Sequence, residues 1–373
     1  MKKKLLSTML IASMLLGLVA CGKSDEEVDD VIDVETTSEE SEEEVASDTF
    51  YSDTNSEGQV RSYLTGEWVD EEVGRSRPFA LMVENTKACL PQYGVSNAGV
   101  IYECVVEGSI TRMMCLFDDY SGMDRIGNVR SSRPYFVYFA SEWEAIYGHA
   151  GGNPAAFELI DNGLVDNLNG LDGDLSNDMY YRTSDASAPH NYYTSSDGIL
   201  AGIEDRGYST DYSSTYEPHF VFNASGNSLE DGEDCQAIEL YYYYNEPYWV
   251  YNEEDGLYYR YEFGDEQIDK NNGEQLTAKN IIIQTVEWWT YAGSEYLGYY
   301  LPGYTGTGKF ITNGKMVDIT WSKDGDSDVT HYYYENGEEI DLNIGVTWIQ
   351  ACQDTYVDEN VYYATVADFE AAN

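Results

Sequence analysis

Positive charge is scarce in this sequence. Its 373 residues include 20 Lys and Arg against 68 Asp and Glu, which gives a formal net charge of -48 at pH 7. Proteins that bind duplex nucleic acid need a basic surface to pair with the phosphates, and an anionic membrane surface would repel a protein of this charge. The composition therefore excludes duplex nucleic acid as a partner.

Cysteines are few and widely spaced, and no Cys-x-x-Cys pair occurs. Beyond Cys21 there are five: Cys89, Cys104, Cys115, Cys235 and Cys352. This odd, scattered set argues against a zinc site or a scaffold held by disulfides. Cys104 and Cys115 are expected on the two arms of one hairpin, where they could form a bridge or remain separate buried thiols.

The N-terminus contains the longest apolar run, which is shorter than the ~20 residues that a membrane-spanning helix needs. Three lysines precede the apolar residues 5–18, as in a secretory signal peptide. The following Leu18-Val19-Ala20-Cys21 resembles the lipobox of bacterial lipoproteins, whose cysteine is diacylated. We therefore expect residues 1–20 to be a signal peptide and Cys21 to carry lipid. The protein would then be anchored to the outer face of the cell membrane, with the bilayer as a partner through Cys21 only.

An acidic segment follows the lipobox. Residues 21–59 contain fifteen Asp and Glu against the single Lys23. Such a segment cannot bury enough apolar surface to fold, so residues 21–62 are predicted to be a disordered tether. The remainder is longer than one core usually holds, which favours two domains, residues 63–225 and residues 226–373.

Residues 63–225 show strands that alternate with helices. The strands are predicted at 78–83, 100–106, 110–117, 145–149 and 218–222, and the helices at 134–143, 153–160 and 195–206. In residues 226–373 strands dominate instead, and two Asn-Gly pairs, Asn313-Gly314 and Asn336-Gly337, predict type I′ hairpins. The predicted fold class is an α/β N-terminal domain plus a mostly antiparallel β C-terminal domain.

Between Lys87 and Lys270 every Lys or Arg position is occupied by arginine. Because its guanidinium pairs in two-pronged fashion with carboxylate or phosphate, this choice favours partly buried pairing over a solubilising surface. The candidate anion-binding residues are Arg112, Arg125, Arg130, Arg133 and Arg182. Gly151 and Gly152 would let a ligand approach the backbone, and the helix starts near Pro134 and Asn153 would add positive potential.

Internal pairing is the alternative interpretation of these arginines. Their partners would be the acids Glu84, Glu103, Glu107 and Asp118, which would tie strand ends together. His149 and His190 could act as general acid or base, with Glu84 or Glu103 as further candidates. Structural histidines that brace loops are the alternative, because no Gly-x-Ser-x-Gly nucleophile motif is present.

Two acidic loops have oxygen ligands at alternate positions, as calcium loops do. They are residues 172–178 and 324–328. The first lacks the glycine and the final glutamate of a calcium loop, and we interpret both loops as solvated turns, so that no metal or cofactor is expected. The 35 tyrosines could form aromatic platforms for glycans, although packing within sheets explains most of them.

Several motifs resemble the YerB-like family of predicted bacterial lipoproteins, which has an N-terminal and a C-terminal domain of unknown activity. They are Arg77-Pro-Phe-Ala-Leu-Met-Val-Glu-Asn85, Tyr102-Glu103, Glu107-Gly-x-Ile-Thr-Arg112, Ile126-Gly-x-Val-Arg-Ser-x-Arg-Pro134, His149-Ala-Gly-Gly152, Ala188-Pro-His-Asn191, Asn280-Ile-Ile-Ile, Gly306-x-Gly308, Asn313-Gly-Lys315, Trp321 and Gly345-x-Thr-Trp348. The resemblance implies location and architecture, and it assigns no residue a role. Gly148 departs from the pattern, and we expect it to loosen the end of its strand.

The leading functional hypothesis is an extracytoplasmic binding protein with an arginine-lined anion recess. Its partner would be an anionic envelope component or an acidic segment of another protein. The layout is also similar to LytR-type cell-wall phosphotransferases, which would imply that Arg112, Arg130, Arg133 and Arg182 hold a diphosphate. Whether the protein is an enzyme is left open by the sequence. A third possibility is an adaptor that binds through its tyrosine-rich β surface.

Overall fold

The computed structural model describes residues 50–373, apart from residues 174, 176 and 177. The signal peptide 1–20, the lipidation site Cys21 and the tether as far as residue 49 lie outside the described residues. Within the described part of the chain, no helix is long and apolar enough to cross a membrane.

The described helices are short. They are α1 Glu71–Gly74, α2 Pro134–Glu142, α3 Pro154–Asp161, α4 Ser196–Arg206 and α5 Val366–Ala372, with 3-10 turns at Lys87–Cys89, Val95–Asn97, Glu107–Ser109 and Val357–Glu359. Proline at the first position starts α2 and α3, because its fixed φ suits a helix start and its missing N–H is not needed there. Ser195 caps α4 by accepting a hydrogen bond from the Gly198 N–H.

Strands make up most of the architecture. They are β1 Val60–Arg61, β2 Trp68–Val69, β3 Phe79–Asn85, β4 Val100–Val105, β5 Thr111–Phe117, β6 Ile126–Gly127, β7 Ile146–His149, β8 Asp166–Asn169, β9 Tyr181–Arg182, β10 Tyr192–Thr194, β11 Val221–Phe222, β12 Glu233–Asp234, β13 Ala237–Glu239, β14 Tyr248–Asn252, β15 Leu257–Glu262, β16 Asp265–Glu266, β17 Thr277–Ala278, β18 Asn280–Val286, β19 Trp288–Thr290, β20 Leu297–Tyr299, β21 Tyr304–Thr312, β22 Lys315–Lys323, β23 His331–Tyr334, β24 Asp341–Leu342, β25 Thr347–Gln353 and β26 Val361–Tyr363.

A central sheet of eleven strands organises the fold. Its order is β12-β22-β21-β18-β25-β4-β5-β3-β7-β8, and β23 pairs with β22 outside this path. Successive side chains of a strand point to opposite faces, so the sheet feeds two hydrophobic cores. On β3, Ala80 and Met82 pack in the first core, whereas Phe79, Leu81 and Val83 pack in the second. The first core is closed by α2, α3 and β20, and the second by β13, β14, β15 and α4.

Strands from both sides of the predicted domain boundary near residue 225 belong to this one sheet. β4 and β25 pair in parallel, with Val100 opposite Thr347 and Cys104 opposite Ala351. The described residues form a single unit in their contacts. The division into two domains, residues 63–225 and 226–373, stays a prediction.

The predicted fold class is correct at a coarse level, since the protein is mostly β with several sheets. A regular α/β alternation in the N-terminal half is not confirmed. β3, β4 and β5 follow one another with only 3-10 turns between them and pair antiparallel around β5. The prediction failed because a continuous apolar run indicates a buried strand but does not indicate whether the neighbouring strand is parallel or antiparallel.

The folded part of the chain begins earlier than the predicted end of the tether at residue 62. Phe50 is buried, and its ring stacks on Phe222 with the centroids 5.9 Å apart. β1 pairs with β2 through Val60 and Val69. Residues 50–62 contain only two acids, Asp53 and Glu57, and the apolar side chains of Phe50 and Val60 in this segment are buried.

A disulfide between Cys104 and Cys115 is excluded by the side to which each thiol points. The two residues lie on adjacent strands, but Cys104 packs in the first core and Cys115 in the second. All five cysteines of the described residues are free and buried.

One of the two predicted Asn-Gly hairpins has the expected geometry. Asn313 and Gly314 both have positive φ, 50° and 74°, between the paired residues Thr312 and Lys315. At the second pair only Gly337 has a positive φ, and the Tyr334 N–H donates to the Glu338 carbonyl across a longer loop. The type I′ prediction for Asn336-Gly337 is therefore wrong.

Gly148 fills a position that has no room for a side chain. An added Cβ would lie 3.0 Å from Leu81 Cδ1 and closer still to Phe79 Cζ, and both of these side chains are fully buried. We expect Gly148→Ala to lower the free energy of unfolding by about 1–3 kcal/mol, because the packed core must shift to admit a methyl group.

Urea unfolding measures this effect, with Gly152→Ala as the matched control on the same segment. The Cβ added at Gly152 would be 3.5 Å from Ser132 Cβ, which is ordinary contact. Equal stabilities for the two variants would contradict the prediction, because they would show that the core around Gly148 admits a methyl group without cost.

Candidate functional site

The loop that carries three of the candidate arginines runs along the end of β3. The Glu84 N–H donates to the Asn128 carbonyl at 2.9 Å, and the Arg130 N–H donates to the Met82 carbonyl at 2.9 Å. Glu84 on β3 and Arg112 on β5 are directly opposite in the antiparallel pair. The sheet therefore brings the loop, Glu84 and Arg112 to the same place.

Glu84 holds two of the predicted residues. Its Oε2 lies 2.6 Å from Arg130 Nη2, and its Oε1 lies 2.7 Å from His190 Nδ1. The Thr86 hydroxyl also donates to Oε1 at 2.7 Å, and the Glu84 side chain is 5% exposed. Both oxygens of this carboxylate are thus occupied, which matches the internal-pairing interpretation for Arg130.

Arg133 forms a two-pronged ion pair with Glu107. Its Nε lies 2.8 Å from Oε1 and 2.9 Å from Oε2, and its Nη2 also contacts Oε2. Burial would raise the pKa of Glu107, but the hydrogen bonds and charge of Arg133 bring it below the usual value. The backbone N–H of Leu297 approaches Oε1 at 3.4 Å, so the C-terminal half contributes to this pair.

Arg112 lies between these pairs without a carboxylate of its own. It is 8% exposed, and its Nη1 donates to the Ser131 carbonyl at 2.6 Å. Among the described residues no carboxylate lies within ion-pair distance of Arg112. Burial lowers the pKa of Arg112 to about 10, and the neighbouring charges of Arg133 and Arg130 add to the effect. We call Arg112, Arg130 and Arg133 the arginine cluster.

Arg125 and Arg182 are not part of the arginine cluster. Arg125 lies 2.8 Å from Asp185 and over the rings of Tyr93 and Tyr193. Arg182 donates to Asn191 at 2.9 Å and lies over Tyr192. The structure therefore separates two of the five predicted anion-binding residues from the other three.

His149 is separate from His190 and fully buried. Its Nδ1 lies 2.8 Å from the Gly151 carbonyl, its Nε2 lies 3.4 Å from Asn167 Oδ1, and its ring stacks on Tyr147. Burial lowers the pKa of His149 below its usual value, which favours the neutral ring. These contacts fit a structural histidine that orders the turn after β7.

Gly151 and Gly152 lie beside the loop of the arginine cluster. Ser132 forms an isolated parallel bridge with Gly152, and its N–H donates to the Gly151 carbonyl at 2.8 Å. The space next to Gly151 is already occupied, because an added Cβ would be 2.8 Å from Leu171 Cδ1. Gly151 thus permits close approach of the exposed Leu171 side chain, whereas a Cβ at Gly152 would make only ordinary contacts.

Glu103 belongs to a different, fully buried network. Its Oε2 lies 2.7 Å from Arg260 Nη2, and its Oε1 accepts hydrogen bonds from Asn85 at 3.0 Å and Asn245 at 3.2 Å. Arg260 in turn is 3.9 Å from Glu262. We call Glu103, Arg260 and Glu262 the buried network.

The buried network joins the two halves of the chain and was not predicted. The Arg260 guanidinium lies 5.0 Å from the Trp249 ring centroid and 4.5 Å from that of Trp348. Arg260 and Glu262 are fully buried on β15, whose residues alternate between intermediate and buried. Their spacing of two was the signal available in the sequence, since it places both side chains on one face of a strand.

The acidic loop 324–328 is held by protein groups. The Lys323 ammonium donates to the Asp328 carbonyl, and the Ser141 hydroxyl donates to the Asp326 carbonyl at 3.0 Å. The other acidic loop, 172–178, includes three positions outside the described residues. In the described residues no group of three His, Cys, Asp or Glu side chains is arranged to hold a metal ion.

Comparison with known proteins assigns the chain to a family. The profile of the family described as "Protein of unknown function (DUF3048) N-terminal domain" matches residues 64–209, and that of the "C-terminal domain" matches residues 238–349. The chain belongs to this family. The arginine cluster lies in the first domain of the family, and Arg260 lies in the second.

Two similar proteins come from Bacillus subtilis. The chain is 36% identical over 150 residues to "Putative lipoprotein YerB". The aligned segment covers 40% of this chain and only 44% of the relative. The crystal structure of the YerB protein is similar with a TM-score of 0.72 and 26% identity, over 82% of this chain and all of that chain. The resemblance inferred from the sequence motifs is confirmed.

Proposed function

We propose that this protein is a lipid-anchored, extracytoplasmic binding protein whose arginine cluster takes up a carboxylate or phosphate group. The anchor is supported by the sequence Leu18-Val19-Ala20-Cys21 and by the relative named as a lipoprotein. The anion site is supported by one observation above all, which is the buried guanidinium of Arg112 without a carboxylate partner.

An unpaired buried charge is costly, and the cost is typically several kcal/mol before partners are found. In the arginine cluster three guanidinium groups share the two carboxylates of Glu84 and Glu107, which leaves one positive charge in excess. An anionic group that reaches Arg112 would neutralise this charge. Arginine suits such a ligand because its planar donors match the oxygens of carboxylate and phosphate.

Turnover of a pyrophosphate-bearing envelope substrate remains the second candidate. Of the proposed bases, Glu84 lies at the arginine cluster, whereas Glu103 belongs to the buried network and lies among other side chains. Glu84 would have to exchange Arg130 or His190 for the substrate before it could accept a proton. The occupied carboxylate favours binding over catalysis.

Titration of the purified protein with inorganic pyrophosphate tests the anion site. We expect pyrophosphate to raise the melting temperature of the natural protein, since a ligand that binds the folded state stabilises it. Arg112→Leu should weaken pyrophosphate binding by roughly ten- to a hundredfold, because it removes charge-assisted hydrogen bonds from the site. The same substitution should change stability little without pyrophosphate, since removal of the unpaired charge offsets the lost hydrogen bond to the Ser131 carbonyl.

Arg125→Ala is the matched control, because Arg125 pairs with Asp185 outside the arginine cluster. This control should bind pyrophosphate as the natural protein does. Equal binding by the natural protein and Arg112→Leu would rule out the site. If the natural protein releases orthophosphate from pyrophosphate and Arg112→Leu does not, the result would instead favour the second candidate, an enzyme.

A further inference from the structure

A row of aromatic side chains crosses the outer face of the hairpin formed by β19 and β20. The ring centroid of Trp289 lies 5.6 Å from that of Tyr291 and 4.4 Å from that of Tyr300. Tyr300 lies 4.9 Å from Tyr304. The opposite face of the hairpin is buried in the first core through Tyr299. We call Trp289, Tyr291, Tyr300 and Tyr304 the aromatic strip.

The strip is held in place by the hairpin itself. Trp289 is the cross-strand partner of Gly298, and a Cβ added at Gly298 would lie 2.8 Å from Trp289 Cη2 and closer still to two other indole atoms. The indole therefore rests against the backbone of the neighbouring strand. Tyr304 is 41% exposed, and the other three rings are partly exposed. The strip is thus both ordered and accessible.

Elsewhere the chain covers aromatic rings with its own cations. The guanidinium of Arg61 lies 3.8 Å from the Trp68 ring centroid, and that of Arg125 lies 4.5 Å from the Tyr93 centroid. In the described part of the chain, no Lys or Arg lies over any ring of the aromatic strip. The parts of these rings that remain exposed, whose faces attract positive charge, are therefore open to a cation from outside the chain.

The surroundings of the strip are acidic. Residues 280–308 contain no Lys or Arg, and Glu287 and Glu295 of this segment are exposed. Burial raises the pKa of Tyr291 above its usual value, and the negative charge of Glu158 on α3 adds to this effect. Negative charge and aromatic faces therefore occur together on this surface.

We propose that the aromatic strip binds a basic polypeptide segment, with arginine or lysine side chains placed over its rings and beside its carboxylates. The strong net negative charge of the chain draws such a partner from a distance, and contact with the rings gives the attraction a defined place. Neighbouring rings are tilted by 44° to 52°. They form separate faces for several cations and not the one flat surface that would suit a sugar ring.

Calorimetric titration with an alternating arginine–glycine decapeptide tests the proposal, at about 150 mM salt to screen general attraction. We expect the natural protein to bind this peptide, and the double variant Tyr300→Leu with Tyr304→Leu to bind it roughly tenfold more weakly. The same peptide with citrulline in place of arginine should not bind, because citrulline has the shape of arginine without its charge.

Tyr243→Leu is the control variant, since Tyr243 is 74% exposed and lies outside the strip. It should bind the arginine peptide as the natural protein does. Equal affinity in the double variant, or equal binding of the citrulline peptide, would overturn the proposal. Binding of chitohexaose that is lost in the double variant, without binding of the arginine peptide, would assign the strip to glycans instead. Trp289→Leu gives the same comparison at a third ring, provided that its circular dichroism spectrum is unchanged.

Discussion

Replacement of Arg260 by alanine is expected to lower the free energy of unfolding by about 3–5 kcal/mol, because it leaves buried carboxylates without their cation. Glu103, Arg260 and Glu262 are all essentially inaccessible to solvent. The guanidinium also packs against the rings of Trp249 and Trp348, so the substitution opens a cavity beside these two indoles. Urea unfolding followed by tryptophan fluorescence measures the loss.

The control for this substitution is Arg206→Ala. Arg206 pairs with Asp172 at 3.4 Å on the surface, where an ion pair contributes roughly 0–1 kcal/mol. The double variant Arg260→Met with Glu103→Gln should recover part of the loss, since it removes the stranded charge and fills part of the cavity. A loss as small for Arg260→Ala as for Arg206→Ala would contradict the view that the buried network holds the two halves together.

Glu262→Gln is expected to make the protein more stable than the natural one at neutral pH and above, by up to about 3 kcal/mol. Burial raises the pKa of Glu262 from its usual 4.5 to about 7, against the opposing charge of Arg260. The folded state thus keeps a proton that the unfolded state has already released. The stability contributed by this proton is fully present below about pH 4.5 and is lost as pH rises to about 7.

Glutamine cannot titrate, and it keeps an acceptor for Asn245, which donates to Glu262 Oε2 at 3.0 Å. The difference in unfolding free energy between Glu262→Gln and the natural protein should therefore grow between about pH 4.5 and 7 and then level off. Glu266→Gln, at an exposed position on β16, is the control and should show no such growth. A difference that is constant across this pH range would show that Glu262 is ionised in the folded protein.

Local patterns in the sequence predicted local structure well. The run 110–117 was expected as a strand and forms β5, and Asn313-Gly314 forms the expected tight hairpin. Asn336-Gly337 does not, because its loop is set by the pairing of Tyr333 with Glu339 rather than by the dipeptide alone. Turn residues limit the backbone angles that are allowed, but the pairing of the strands on either side determines which turn forms.

The partners of the charged residues could not be predicted in the same way. The excess of acids made internal pairing of the arginines plausible, and Arg130 and Arg133 do pair with Glu84 and Glu107. That Arg112 is the residue left without a carboxylate depends on where β5 begins relative to the loop after β6. No spacing in the sequence contains this information.

The sequence by itself determined the acidity of the protein, its strand-rich composition and the concentration of arginine near residues 112–133. These are properties of single residues and of their near neighbours. The tertiary structure alone decided that strands of both halves share one sheet, and that Arg260 meets Glu103 across 157 residues of chain. Such contacts are set by packing between distant segments, because the free energy of a buried charge depends on whatever the fold brings beside it.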